Sequence, residues 1–211
     1  RANLSTRGNI CQQTILIVAR VRSERRSLKI RLGADNKHRA QLVIETNVNL
    51  AEKLGINQAA RTTTVKPAGS TSCILETSSG IHPHHAHKYI RRVQSNAMEN
   101  PIQHFAKVNP TAIETSVWSA NGTDQVISFL IETSKSSLTK SDVDAVRLLE
   151  YVKLTQENWI ESGKRKDLCV APWLTHNVSN TINVKDEEWG SVENFIYDNR
   201  SSFAGISMLG S

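Results

Sequence analysis

A run of small and hydroxylated residues, Lys66-Pro67-Ala68-Gly69-Ser70-Thr71-Ser72, has the composition of an anion cradle. Small side chains let backbone N–H groups come close to an anion, and hydroxyls add donors. It lacks the G-x-x-x-x-G-K-[ST] spacing of a Walker loop. Turn chemistry alone also leaves open an ordinary strand-to-strand connection. Just downstream, His82, His84, His85 and His87 crowd together, and the spacing of His84 and His87 suits one helix face. No carboxylate or thiol stands within that cluster, which argues against a metal centre. Cys11, Cys73 and Cys169 lie far apart with no C-x-x-C pair, so neither a zinc knuckle nor a disulfide framework is indicated. A reducing, cytoplasmic setting fits that usage.

The elements that must position these residues follow from periodicity. At 211 residues the chain can bury a core, and one domain is the default. Its 38% hydrophobic and 22% charged residues suit a soluble globular protein. The longest apolar run, Ile15 to Ala19, is strand length, and nothing approaches a bilayer span or a signal peptide. The spacing of Leu42, Val43, Thr46, Leu50 and Leu54 predicts a helix over Asp35 to Leu54, stopped by Gly55. Thr62 to Lys66, Cys73 to Leu75, Val178 to Val184 and Phe203 to Leu209 read as strands. Asn100-Pro101 and Asn109-Pro110 bracket a short helix from Ile102 to Lys107. Gln125 to Thr133 is nearly continuously apolar and predicts a strand buried on both faces. Ser141 to Ser162 predicts a helix with Ser141 as N-cap, Asp144 as its acidic partner and Gly163 as its end. Asp186 to Asn199 predicts another, with acid at its start and Arg200 just beyond it. Strand, helix, strand, helix, strand is the pattern of a parallel α/β unit.

Several blocks together resemble the C-terminal half of the adenosylcobalamin-dependent, class II ribonucleotide reductases. They are TTTVKPAGSTS with SSGIHPHHAHKYIRRVQ, then NPTAIETSVWSANGTDQVISFLIE, LLEYVKLTQENWIESG and APWLTHNVSNTINVKDEEWGSVENFIYDNRSSFAGISML. The resemblance covers roughly Asn36 to Ser211. It implies an α/β fold, the C-terminal portion of a ten-stranded α/β barrel, over residues 35–211. Residues 1–34 do not resemble the expected preceding segment. A divergent strand-helix piece, a shifted reading frame and an intervening element all remain open there. The resemblance further implies conversion of ribonucleoside di- or triphosphates to 2′-deoxyribonucleotides by a thiyl radical raised with adenosylcobalamin. Pro67, Ala68, Gly69, Ser70 and Thr71 match the turn that holds the substrate phosphates in that family. The implied partners are the ribonucleotide substrate and an external dithiol reductant such as thioredoxin, with no membrane.

The family's radical cysteine sits in an Asn-Pro-Cys-x-Glu loop, which this sequence lacks. Cys11, in Gly8-Asn9-Ile10-Cys11-Gln12-Gln13, matches only the Asn and Cys. Cys73 and Cys169 read as buried structural thiols. With no catalytic cysteine assigned, and with Arg1 rather than Met at its start, the chain reads as a fragment expected to be inactive alone. The resemblance places Gly80-Ile81-His82-Pro83 as the turn after the phosphate loop, with the histidines on the substrate side or surface. Lys66, Lys88, Arg91 and Arg92 either add positive potential near the phosphates or form a solvated basic face. The net charge of +6 raises nucleic acid as a partner, but the basic run from Arg20 to Arg39 has no aromatic residue to stack bases. A non-catalytic nucleotide- or nucleic-acid-binding module is the alternative from a different class. Asn177 and Asn180 read as strand-end hydrogen bonders, and Trp118, Trp159, Trp173 and Trp189 as core and rim aromatics.

Overall fold

Helical and extended segments alternate along the chain, and the sequence divides into two units. The computed structural model describes residues 25–69, 72, 75 and 77–211. Expectations for Cys11, Ser70, Thr71, Cys73 and the Ile15 to Ala19 run lie outside the described residues. One unit comprises the described residues up to His84 together with Ser136–Ser211, and the other is His85–Lys135.

In the first unit, α1 spans Arg25–Leu54, ten residues more at its start than the apolar spacing predicts. Gly55 follows it with φ 63°, a left-handed stop that glycine adopts without a Cβ penalty. Ala40, Ile44 and Ala51 form its buried stripe. A second helix, α3 (Ala145–Thr155), forms where one continuous helix from Ser141 is predicted. The caps explain the difference. The Asp142 carboxylate accepts from the Thr139 N–H at 3.0 Å and the Thr139 hydroxyl at 2.8 Å, closing a separate turn at Lys140–Asp142. Val143 is then extended, and Asp144 rather than Ser141 caps α3 by accepting from the Arg147 N–H at 2.7 Å. The helix runs on into a π-helical turn, Gln156–Ile160, and ends in a tight turn at Glu161–Gly163.

Two short strands, β4 (Ile182–Val184) and β5 (Met208–Gly210), pair in parallel across α4 (Trp189–Asp198). This is the last strand-helix-strand of the parallel unit expected, with strands much shorter than predicted; the unit's expected first strand, Gln125 to Thr133, pairs antiparallel in a separate sheet. Asn180 explains the trimming. Its amide donates to Val178 O at 2.7 Å and Gly205 O at 3.0 Å, and its oxygen accepts from the Ser207 N–H at 3.3 Å. A side chain thus takes bonds that a backbone ladder would otherwise use. Leu149, Val152, Ile160, Val178, Ile182, Val184 and Val192 form the buried centre of this unit, with Phe195 and Phe203 packed against it.

The second unit is an antiparallel sheet in the order β1-β3-β2: β1 (Lys88–Asn96), β2 (Ile113–Thr115) and β3 (Asp124–Glu132). Helix α2 (Asn100–Val108) carries Ile102, which is buried, and Phe105, whose ring lies 5.8 Å from that of Phe129. The prediction of a strand buried on both faces fails in its second half. Val126 and Ile127 are buried, but Leu130 is 80% exposed. The short β2 reaches only the first part of β3, pairing Ile113 to Thr115 with Ile127 to Gln125. Among the described residues the strands form these two sheets and no closed barrel.

Candidate functional site

The turn is positioned by the residues just before it. Thr62 to Lys66 is extended but does not build the predicted strand; it makes only isolated bridges, Arg61 to Lys164 and Val65 to Val178. Its backbone polar groups are satisfied largely by side chains and loops. The Thr62 N–H donates to Gly163 O at 3.0 Å. Thr63 O accepts from His176 Nδ1 at 2.9 Å, and Thr64 O accepts from Trp159 Nε1 at 3.2 Å. The buried Thr63 hydroxyl donates to Trp159 O at 2.8 Å. Gln156, buried in the π turn, donates to His176 O at 2.9 Å and accepts from the Val178 N–H at 3.2 Å. The segment is therefore clamped between the end of the α3 assembly and residues 174–179.

Gly163 makes that clamp possible. A Cβ there would overlap Oγ1 and Cγ2 of Thr63 and lie 2.7 Å from its Cβ. Sequence periodicity identifies Gly163 only as a helix end, because its close neighbour lies a hundred positions away. Gln156 and His176 carry no sequence signal for the same reason.

Beyond the clamp, Pro67 and Gly69 are exposed and Ala68 is partly buried. The Ser72 N–H donates to Ala68 O at 3.3 Å, and the Ser72 hydroxyl donates to Gly69 O at 2.8 Å. A Cβ on Gly69 would meet no described atom within 4 Å, so among the described residues this face of the turn opens outward. The return limb is close-packed instead. Gly80, at φ 61°, brings its Cα so near the turn that a Cβ would stand 3.2 Å from Lys66 O and 3.3 Å from Pro67 Cα. The turn is thus fixed from behind and open in front, a geometry compatible with an anion approaching Gly69.

The histidines separate in the structure. Both ring nitrogens of His82 are engaged, with Nδ1 2.9 Å from Ser79 O and Nε2 3.0 Å from Thr181 N. His84 bridges Thr139 along the backbone. His85 stacks edge-on with Tyr89, and His87 Nδ1 lies 3.4 Å from the Thr133 hydroxyl. Among the described residues no group of three or more His, Cys, Asp or Glu is arranged to hold a metal ion. The His82 ring also borders a cavity of about 260 Å³ shared with Lys140, Asp144 and Asn183. That volume falls below the ~300 Å³ at which small-molecule pockets usually begin.

Lys88 and Arg92 are paired within their own unit, Lys88 to Glu132 at 3.3 Å and Arg92 to Glu114. Arg91 lies over the Tyr89 ring, 6.0 Å from its centroid. Cys169 is half-buried, its thiol directed at Arg165 O at 3.2 Å. Trp159 is buried and Trp189 sits at the rim, but Trp118 and Trp173 are 85% and 79% exposed, against the expectation of core or rim. Beside the clamp, the nearly buried Lys164 ammonium lies 3.0 Å from the Glu161 carboxylate. Burial acts to raise the Glu161 pKa, yet hydrogen bonds from Lys164 and Thr175, with the charges of Lys164 and Lys166, outweigh it and hold the carboxyl below its ordinary value. Arg165 and Asp167 form an exposed pair that favours the charged form of each.

A structure described as a B-12 dependent (class II) ribonucleotide reductase superposes with a TM-score of 0.63, at 19% identity over 86% of this chain and 23% of that one. The adenosylcobalamin-dependent ribonucleoside-triphosphate reductase of Levilactobacillus brevis is 21% identical over 169 residues, which is 80% of this chain. The chain spans about a fifth of that relative's length, 21%. No described helix is long and apolar enough to cross a membrane. The family model for the ribonucleotide reductase barrel domain matches residues 22–198, which takes in the clamp, the turn, β4 and α4; the chain belongs to that family.

Proposed function

We propose that this chain supplies the substrate-phosphate turn and part of the barrel wall of an adenosylcobalamin-dependent ribonucleotide reductase. Residues 35–211 form the C-terminal part of that barrel domain in this reading. Pro67, Ala68, Gly69, Ser70 and Thr71 hold the phosphates of a ribonucleotide on its way to a 2′-deoxyribonucleotide. The curated relative is a triphosphate reductase, which favours a ribonucleoside triphosphate as the ligand to test. The observation that carries the reading is the turn itself, braced from behind by Gly80 and open at Gly69.

Adenosylcobalamin would supply the radical in the whole enzyme, and an external dithiol such as thioredoxin would restore its thiols, in the cytoplasm. The described residues do not fit a radical role. Cys169 is the described cysteine, and its thiol is spent on backbone carbonyls at Arg165 and Ala60. What this chain does, in this reading, is bind and orient phosphate.

The test is equilibrium binding of a ribonucleoside triphosphate to the full chain and to Gly69→Val. A Cβ at this position meets no described atom within 4 Å, so stability should hold while the anion loses its approach. We expect affinity to fall about tenfold or more, as for loss of a charge-assisted hydrogen bond or two. Unchanged affinity in Gly69→Val would remove the turn from the site. A steep salt dependence that tolerates Gly69→Val would point instead to a nucleic-acid surface.

A further inference from the structure

The hydrogen bonds behind the turn close into a ring. The entry limb is held where the Ser179 N–H donates to Val65 O at 3.0 Å. The chain then passes Lys66 and Pro67, against which Gly80 packs. Two residues on, His82 Nε2 meets the Thr181 N–H at 3.0 Å. Both limbs of the turn are thereby tied to one stretch, residues 179–181. That stretch is itself held by Asn180, buried and bonded to Val178, Gly205 and Ser207. The partners fix the imidazole's form. Ser79 O only accepts, so Nδ1 carries the hydrogen, and the Thr181 N–H only donates, so Nε2 presents its lone pair.

We propose that His82 is a positioning residue for the phosphate turn, acting as a neutral Nδ1–H imidazole that fastens the return limb to the backbone holding the entry limb. The functional consequence rests on the phosphate reading above; the structural one rests on the hydrogen bonds alone. His82 touches no phosphate in this scheme. It sets where Gly80 sits, and Gly80 sets the backing of Lys66 and Pro67.

Two conservative replacements separate the ring's two bonds. Asparagine places an amide near Nδ1 and keeps the short bond to Ser79 but cannot reach Thr181. Glutamine places an acceptor near Nε2 and keeps the tie to Thr181. The experiment measures, on the full chain, amide exchange at Ser72, whose N–H donates inside the turn, and ribonucleoside triphosphate affinity. We expect His82→Asn to speed Ser72 exchange and weaken nucleotide binding about five- to tenfold, the loss of one hydrogen bond. His82→Gln should stay within about twofold of the parent on both. Nitrogen NMR should show the Nδ1–H tautomer for His82 in the parent chain. An Nε2–H tautomer overturns the proposal. So does wild-type Ser72 exchange in His82→Asn, or equal loosening in both variants. If the parent chain binds no nucleotide yet Ser72 exchange still separates the two variants, the positioning role stands and the phosphate reading falls.

Discussion

Replacing Gly163 by alanine tests the clamp that carries the turn. The added methyl would overlap Oγ1 and Cγ2 of Thr63 and stand 2.7 Å from its Cβ. Thr63 is buried and lies between Gly163 and the π turn, so it cannot swing into solvent. Overpacking of this kind costs about 1–3 kcal/mol. Displacing the Thr63 hydroxyl from Trp159 O adds about 1 kcal/mol. Alanine returns about 0.4–1 kcal/mol by restricting the unfolded chain, because Gly163 has no left-handed φ to forbid it. The net loss is about 1–3.5 kcal/mol, a shift of roughly 0.5–1.5 M in the urea midpoint for a chain of this size. Pairing it with Thr63→Ala removes the two overlapping atoms, so the double variant should cost at least ~1 kcal/mol less than the two singles added. Gly190→Ala, where nothing stands within 4 Å, is the control for a helical glycine. A Gly163→Ala midpoint within about 0.2 M of the parent, or strict additivity in the cycle, would refute the steric argument.

The Glu161–Lys164 pair gives a pH signature. The folded-state carboxyl pKa is depressed, so its contribution is present above the ordinary value of 4.5 and is lost as pH falls through the folded value. Glu161→Gln should cost about 1–2 kcal/mol at pH 7, less than a fully buried pair because Glu161 is partly exposed. Urea melts across pH should show the gap to the parent closing below pH 4.5, and a gap independent of pH would sink this account. Asn180→Ala removes three hydrogen bonds at the end of β4 and should destabilise the chain by about 2–3 kcal/mol, read from urea melts. Asn180→Asp, which cannot donate to the two carbonyls, should cost at least as much; a silent Asp variant would contradict the assigned bonds.

The sequence-level signals that succeeded are the local ones. Gly55 stops α1, the Asn-Pro pairs bracket α2, and the acidic run at Asp186 opens the turn into α4. Each rests on a cap or a backbone preference that one residue carries alone. Apart from the Ser141 cap, displaced by the local pairing of Thr139 with Asp142, the failures have a different origin. Thr62 to Lys66 has strand composition, but its backbone bonds go to Trp159, His176 and Gly163, roughly a hundred positions away. Val178 to Val184 is cut short because a single amide, Asn180, takes the ladder's bonds. Leu130 sits in an apolar run yet is exposed, because its burial depends on a neighbour strand that stops three residues in. The turn's composition was readable at once, but not what braces it: Gly80 against Lys66 and Pro67, and His82 on Thr181, depend on where the chain returns.

The strap at His84 has its own consequence. The His84 N–H donates to Leu138 O at 2.9 Å, and the Lys140 N–H donates back to His84 O at 2.8 Å. The chain therefore leaves the first unit and re-enters it at one doorway, already stitched on both jambs. Whatever lies between, His85–Lys135 here, is a removable panel as far as the first unit's threading is concerned. Lengthening, trimming or exchanging it alters no crossover and no strand order around the turn. The first unit can keep its own threading around the turn while the second unit's sheet takes on a different employment.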